Sequence, residues 1–336
     1  MTKKNIIKLV ALIVLGVVMI LVPLVITNDY YMMVINRLLI NIVVVLGLNF
    51  ITGLTGQMNL GTAGIFALGA YTSALVCQNL NVDPWIGLLF AIVMGLLIGL
   101  GLGYPSLRVK GVYLSLTTIG FAEVVRLLIS NLADFTGGTQ GLRNIPPFHL
   151  FGLEFSAKTN FNTYYLFLAF VLIAFWVAHR LTYSKWGRLF KSLRDNIDAV
   201  EMSGVNIASA KIKAFTLAAV FGTIAGCMYA HYMGYMNPST FNTDFSANFV
   251  IMLMIGGIGS VGGNVIGAFV VTVLPEVLRF LADYYQLVFS TIVLVGAIFA
   301  PEGWGDGLKR LFFWIVKKVS GKDLAAPKAK GGVTSE

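Results

Sequence analysis

Trp85 to Tyr104 reads WIGLLFAIVMGLLIGLGLGY, 20 residues without one charge. A helix of that length rises about 30 Å, enough to cross the hydrocarbon core of a bilayer. The rest of the chain has the same character. Of its 336 residues 57% are hydrophobic and 12% charged, and the mean hydropathy is +0.82. A soluble protein carries about a quarter charged residues. The chain is expected to be an all-α polytopic membrane protein.

The net charge of +9 matters less than where the charges lie. Of 24 Lys and Arg, 19 fall in four places: Lys3/Lys4/Lys8, Arg108/Lys110, Arg180 to Lys213, and Lys309 to Lys330. The positive-inside bias puts all four in the cytoplasm, which accounts for the high pI without a nucleic-acid partner. The basic, then apolar N-terminus resembles a signal peptide. Ile26-Thr27-Asn28-Asp29 offers no small-residue cleavage site, so 6–26 is expected as a retained first span. Further spans are expected at 33–51, 59–77, 85–104, 112–131, 161–181, 212–231, 246–258, 265–281 and 284–300, ten in all (8–10 if short runs fail to cross). Both termini then lie inside and 132–160 forms an external loop. The weakest span, 246–258, is short enough for a half-helix or re-entrant segment.

Two stretches echo each other 198 residues apart: Gly61-Thr62-x-Gly64…Gly69-Ala70-Tyr71 and Gly259-Ser260-x-Gly262…Gly267-Ala268-Phe269. They suggest two weakly repeated halves. Paired Gly-rich interruptions in transporters mark the substrate path, so Gly61, Thr62 and Gly64 are expected to face Gly259, Ser260 and Gly262 across it. Thr117 and Thr118 either offer hydroxyls to a polar solute or bond back to their own helix. Gly95-x3-Gly99-x3-Gly103 and Gly222-x3-Gly226 place small residues on one helix face and are read as packing seams.

Between expected spans lies one amphipathic segment, Trp186 to Ser203, WGRLFKSLRDNIDAVEMS. Leu189, Leu193, Ile197 and Val200 recur at helical spacing. Basic Arg188, Lys191 and Arg194 precede acidic Asp195, Asp198 and Glu201, the reverse of what a helix macrodipole favours. Such a helix suits a surface offered to another protein.

No G-x-x-x-x-G-K-[ST] motif is present, so no P-loop binds nucleotide phosphates. His149, His179 and His231 are scattered, and no catalytic or metal-ligating set stands out. Cys77 and Cys227 sit in apolar runs and read as packing residues. Glu123 and Arg126, at i and i+3, are expected to neutralise one another, and Arg37 to snorkel from a span end. No chain of ionisable residues runs through the spans, which counts against a self-sufficient secondary carrier. The external Thr136-Gly137-Gly138-Thr139 turn reads as a flexible loop, or as a gate or docking surface.

Four segments resemble one family, the LivM-type permease of branched-chain amino acid ABC importers. They are GLNFITGLTGQMNLGTAGIFALGAYTSAL (Gly47–Leu75), SLRVKGVYLSLTTIGFAEVVR (Ser106–Arg126), TGGTQGL (Thr136–Leu142) and GRLFKSLRDNIDAVEMSGVNIASAKIKAF (Gly187–Phe215). The resemblance runs from about Asn41 to Pro301 and implies a type II-like permease of the bacterial inner membrane. It implies a non-catalytic permease domain over 1–308, with a cytoplasmic coupling segment at 182–208 and a basic cytoplasmic tail at 309–336. It further implies two ATPase subunits that bind the ATP, a second related permease and an extracytoplasmic amino-acid-binding protein, with no cofactor on this chain. Carried over residue by residue, Arg188, Arg194, Asp198, Glu201 and Gly204 belong to the segment that seats in the ATPase. Met202 and Ser203 depart from the double alanine common there. A sugar or other small solute is the alternative cargo, because permeases of the same superfamily share the Gly-rich pattern.

Overall fold

A computed structural model of the chain describes residues 21–299 apart from 24, 27, 108, 110 and 151. The expected span at 6–26, Arg108, Lys110 and the 309–336 tail fall wholly or mostly outside the described residues. Helix α1 (Asp29–Leu48) opens on Asn28, whose side chain accepts the Tyr30 N–H, and continues as a π-helical turn, Asn49–Leu54. Then come α2 (Thr62–Leu80), α3 (Pro84–Gly103) and α4 (Val112–Asn131). A two-stranded hairpin of β1 (Phe148–Leu150) and β2 (Leu153–Phe155) precedes α5 (Asn160–Thr182). Two short helices, α6 (Lys185–Asp195) and α7 (Ile197–Met202), lead into α8 (Ile207–Met233). α9 (Thr243–Gly256), α10 (Val261–Val277) and α11 (Tyr285–Phe299) follow.

Seven of these are long and apolar enough to cross a membrane among the described residues: α1 with its π turn, α2, α3, α4, α5, α8, and α10 with the turn after it. The chain is a mostly helical, multi-pass membrane protein. α9 is the expected weak span. Its 14 residues rise about 21 Å, less than a full crossing alone, and the connection after it brings Gly259 to Asn49 at the end of α1. Two helix starts move from their expected places for local reasons. α2 begins at Thr62 because the Leu60 N–H bonds to Thr118 Oγ1 and the Gly61 N–H to Asn59 Oδ1, outside any helix. α8 begins earlier, at Ile207, because Asn206 caps it through the Ser209 N–H.

α1 is the centre of one layer, with 78% of its apolar window buried against 33% for α3, α4, α5 and α10. α8 is the centre of the other, and its contacts with α2 and α3 run backbone to backbone. A Cβ on Gly95 or Gly99 of α3 would come within 3 Å of α8 at Thr223, Val220 or Thr216. One on Gly226 of α8 would strike the Phe66 carbonyl and Ala70 N of α2, and one on Gly69 of α2 would strike Thr223. The expected small-residue seams are therefore seams in fact. Lipid gives no hydrophobic drive for helices to pair, so close approach and van der Waals contact hold them together.

The helices alternate in direction between two ends. The hairpin end is fixed by Trp85 Nε1, which donates to the His149 carbonyl, and by Ala157 N, which donates to the Tyr232 carbonyl. At the other, basic end lie α6, α7 and the seven Lys and Arg from Arg180 to Lys213. α2 and α10, which carry the two echoing motifs, both start near the basic end and run the same way. Gly259 meets Asn49 and Arg194 there, while Arg279, just past α10, reaches the Tyr30 hydroxyl at 2.6 Å.

One helix offers an internal control for this packing. Gly99 and Gly101 both lie in α3, but a Cβ on Gly101 meets nothing within 4 Å. Gly99→Ala is expected to destabilise the protein by about 1–3 kcal/mol through overpacking against Thr216. Gly101→Ala should be neutral or slightly stabilising, since Ala is the better helix former. Thermal unfolding of the two variants in detergent checks this, and equal midpoints would contradict the seam.

Candidate functional site

The amphipathic segment is not one helix. Asn196 leaves helical geometry (φ −160°, ψ 107°), ending α6 and capping α7 through a 3.0 Å bond from the Ala199 N–H to its Oδ1. This corrects part of the charge argument. Arg194 lies in the last turn of α6 and Asp198 in the first turn of α7, both favourable to their own helix dipoles. Lys185 and Arg188 at the start of α6, Asp195 at its end and Glu201 in the last turn of α7 still oppose theirs. The apolar face is used internally: Leu193 and Val200 pack with Ala210 of α8, and Lys213 stands 4.2 Å over the Trp186 ring. What the segment shows to solvent is polar, with Arg188, Asp195, Asp198, Glu201 and Gly204 exposed, and with Met202 at 88%. Gly204 (φ +72°) closes α7 in the left-handed conformation, its N–H bonded to the Glu201 carbonyl at 2.9 Å.

Arg194 turns inward. Its Nη1 donates to the Gly53 carbonyl at 3.1 Å, at the end of the π turn of α1. Asn49 Oδ1, in the same turn, accepts the Gly259 N–H from the α9–α10 connection at 3.0 Å. Three glycines make this junction possible. A Cβ on Gly53 would overlap Asn49 Oδ1, one on Gly56 would meet Arg194 Cγ, and Gly259 lies 3.6 Å from the Arg194 guanidinium by the same measure. The basic end thus joins α6, α1 and the start of α10 at one point. π turns in helices are frequent at functional sites. Sequence spacing gave no sign of this, because Arg194 and Gly53 are 141 residues apart.

The two glycine motifs do not meet each other. Gly61 and Gly64 abut Thr118, Phe121 and Ala122 of α4, and the Ala63 N–H bonds to Ser246 Oγ of α9 at 2.8 Å. Gly259 lies by Arg194, Ser260 caps α10 through the Gly263 N–H, and Gly262 has open space beside it. Thr62 Oγ1 is buried and lacks a hydrogen-bond partner. Thr117 bonds back to the Tyr113 carbonyl at 2.8 Å, and Thr118 to Ser115 at 2.9 Å while accepting the Leu60 N–H. Thr118 and Gly61 are therefore the pair of expected path residues that the fold brings into contact.

Open space lies elsewhere, in two adjoining cavities of about 350 and 150 Å³. Asn41, Phe245 and Thr272 line both, so α1, α9 and α10 enclose one continuous cleft. Asn41 Nδ2 donates to Thr272 Oγ1 at 3.0 Å across it. Arg37 lines the smaller chamber with Tyr229. Sequence reasoning placed Arg37 at a span end. It lies eight residues into α1, about 12 Å along the axis.

The Thr136–Thr139 turn is pinned. Thr136 Oγ1 bonds the Ile129 and Leu132 carbonyls, and Gly137, Gly138 and Gly141 all take positive φ. Leu142 pairs with Met236, and Asn237 Nδ2 donates to the Thr139 carbonyl. Nearby, the sequence-scattered His231 gains partners. Its Nδ1 faces the Pro146 carbonyl at 2.6 Å, so Nδ1 carries the proton and Nε2 accepts from Ser73 Oγ at 2.6 Å. Cys227 lies 3.1 Å from the same hydroxyl. The group is fully buried, and it anchors the loop onto α2 and α8. Glu123 and Arg126 pair as expected, with Nε to Oε2 at 2.9 Å. Among the described residues no set of three or more His, Cys, Asp or Glu is placed to hold a metal ion.

Residues 30–298 match the model of the branched-chain amino acid transport system / permease component family. The high-affinity branched-chain amino acid transport system permease protein LivM of Salmonella typhimurium is 33% identical over 79% of this chain and 67% of its own length. A probable branched-chain amino acid transport permease protein LivM of Methanocaldococcus jannaschii is 24% identical over 72% of this chain and 76% of its own. An autoinducer 2 import system permease protein, LsrC of Yersinia pestis, is 25% identical over 73% and 69%. No solved structure matches the chain. With the family model covering most of its length, and the resemblance of its motifs and helices pointing the same way, the chain belongs to the branched-chain amino acid transport system permease family.

Proposed function

We propose that this chain is one membrane subunit of an ATP-driven importer for branched-chain amino acids, delivered by an extracytoplasmic binding protein. The LivM relatives at 33% and 24% identity support that solute, and the autoinducer relative at 25% shows that cargo varies within the likeness. In this reading a second related permease completes the membrane part, and two ATPase subunits bind and hydrolyse ATP, so this chain needs no cofactor. The basic end faces the cytoplasm of a bacterial inner membrane, as the positive-inside bias favours. Ten spans, namely the seven long helices with 6–26, α9 and α11, then place both termini inside. Residues 1–308 act as the permease domain and 309–336 as a basic tail, and the same sense of α2 and α10 favours two related halves. Gly61, Thr62, Gly64, Thr117, Thr118, Gly259, Ser260 and Gly262 are retained as path residues, in two separate places. The Thr136–Thr139 turn is retained as a docking surface for the binding protein.

The observation that carries the reading is the bond from Arg194 to the Gly53 carbonyl. α6 and α7 present a polar face outward, with Arg188, Asp198 and Glu201 on it, while Arg194 holds the inner end of α1 and approaches the α9–α10 turn. A push on the outer face by an ATPase therefore moves both walls of the membrane cleft. A charge-assisted hydrogen bond of this kind is worth about 1.5–3 kcal/mol.

Arg194→Gln is expected to lower leucine uptake by the reconstituted assembly at least tenfold while basal ATP hydrolysis continues. Uptake at the wild-type rate would refute the coupling role. Gly204→Val, strained at positive φ, and Glu201→Lys, which reverses an exposed charge, should likewise uncouple hydrolysis from uptake without preventing membrane insertion. Alone in liposomes, the subunit should neither hydrolyse ATP nor accumulate amino acid under a proton or sodium gradient. Gradient-driven accumulation would mark a secondary carrier instead.

A further inference from the structure

The cleft between α1, α9 and α10 contains a charge that the fold does not explain. A guanidinium at the centre of a bilayer costs about 2.5–3.5 kcal/mol unless it reaches water or an anion, and Arg37, about 12 Å along α1, is exposed and lines the smaller chamber. Arg126, Arg194 and Arg279 each have a carboxylate within 4 Å, and among the described residues none lies that close to Arg37. Its neighbour in the smaller chamber is the Tyr229 phenol, a neutral group. The larger chamber combines apolar surface from Phe249, Met252 and Val271 with the polar tips of Asn248, Asn41 and Thr272. The Asn41–Thr272 bond uses an amide N–H of Asn41, leaving Asn41 Oδ1 free to accept from a further donor. The larger chamber's volume of about 350 Å³ is at the small end of ligand sites.

We propose that this cleft is a transit site for a zwitterionic amino acid, with Arg37 taking the carboxylate, Asn41 and Asn248 the ammonium, and the Phe249–Met252–Val271 wall the branched side chain. A planar guanidinium grips a carboxylate through two parallel N–H···O bonds, which a neutral solute cannot answer. Both the charge and the apolar wall are then accounted for by one ligand chemistry. The site rests on the import reading above and adds to it a residue that selects for a free carboxylate. It also links to the coupling junction, because Arg37, Asn41, Asn49 and Gly53 all belong to α1 and its π turn.

The test uses the whole assembly in proteoliposomes. Arg37→Gln should lower leucine uptake at least tenfold, and Arg37→Lys, which keeps a point charge but not the fork, should fall between. Assembly on size exclusion should be unchanged in both. As a readout independent of transport, Thr240→Cys places a thiol in the smaller chamber, while the native Cys77 and Cys227 are buried. Leucine should slow its reaction with a small polar maleimide, leucinol should not, and adding Arg37→Gln should abolish the protection. Wild-type leucine uptake by Arg37→Gln, or equal protection by leucinol, would overturn the site while leaving the import reading intact. If the wild-type assembly imports only solutes without a carboxylate, both fall together.

Discussion

The fold depends on how closely α8 can approach α2 and α3. These helices meet at Gly69, Gly95, Gly99 and Gly226, with carbonyls and Cα atoms where a Cβ would stand. In lipid the alternative to a helix contact is another apolar surface, so association depends on the quality of contact and not on exclusion from water. α8 is thereby fixed as a central post. His231, near its far end, holds the loop at the hairpin end, and Ala210, near its start, receives the apolar face of α6 and α7.

Around this post, α1 plays a different part. It packs against α5, α8 and α10 and changes from α to π geometry at Asn49, where side-chain and carbonyl groups are free to bond with other segments. The turn is held from three directions, by Arg194 at Gly53, by the Gly259 N–H at Asn49, and by Thr55 Oγ1 bonding the Ile51 carbonyl. α6 therefore meets α1 through a polar junction, in surroundings where an unsatisfied backbone group is expensive. Apolar contacts there would permit sliding, whereas directed hydrogen bonds transmit displacement.

The segment Trp186–Ser203 shows how one residue can change part of an electrostatic argument. As a continuous helix its charges run against the dipole. Broken at Asn196, it gives Arg194 a C-terminus and Asp198 an N-terminus to interact with. The short helices are thus more self-sufficient than their sequence order implies. Their exposed face remains polar, and Met202 is the one large apolar side chain on it that is nearly fully exposed.

Class, most span positions, the basic end and the packing seams were legible in the sequence, because each depends on local composition or on spacing along a single helix. A run such as Trp85–Tyr104 must be helical in a bilayer whatever surrounds it, and Gly95, Gly99 and Gly103 share a face in any helix. The family resemblance was legible too, since it rests on ordered motifs. Tertiary structure alone decided what lies across from what. It separated the two glycine motifs, set Gly259 beside Arg194, brought His231 to Ser73 and Cys227, and placed Arg37 within a cleft. Those pairings join residues far apart in the chain through the packing of several helices, and no periodicity along one helix carries that information.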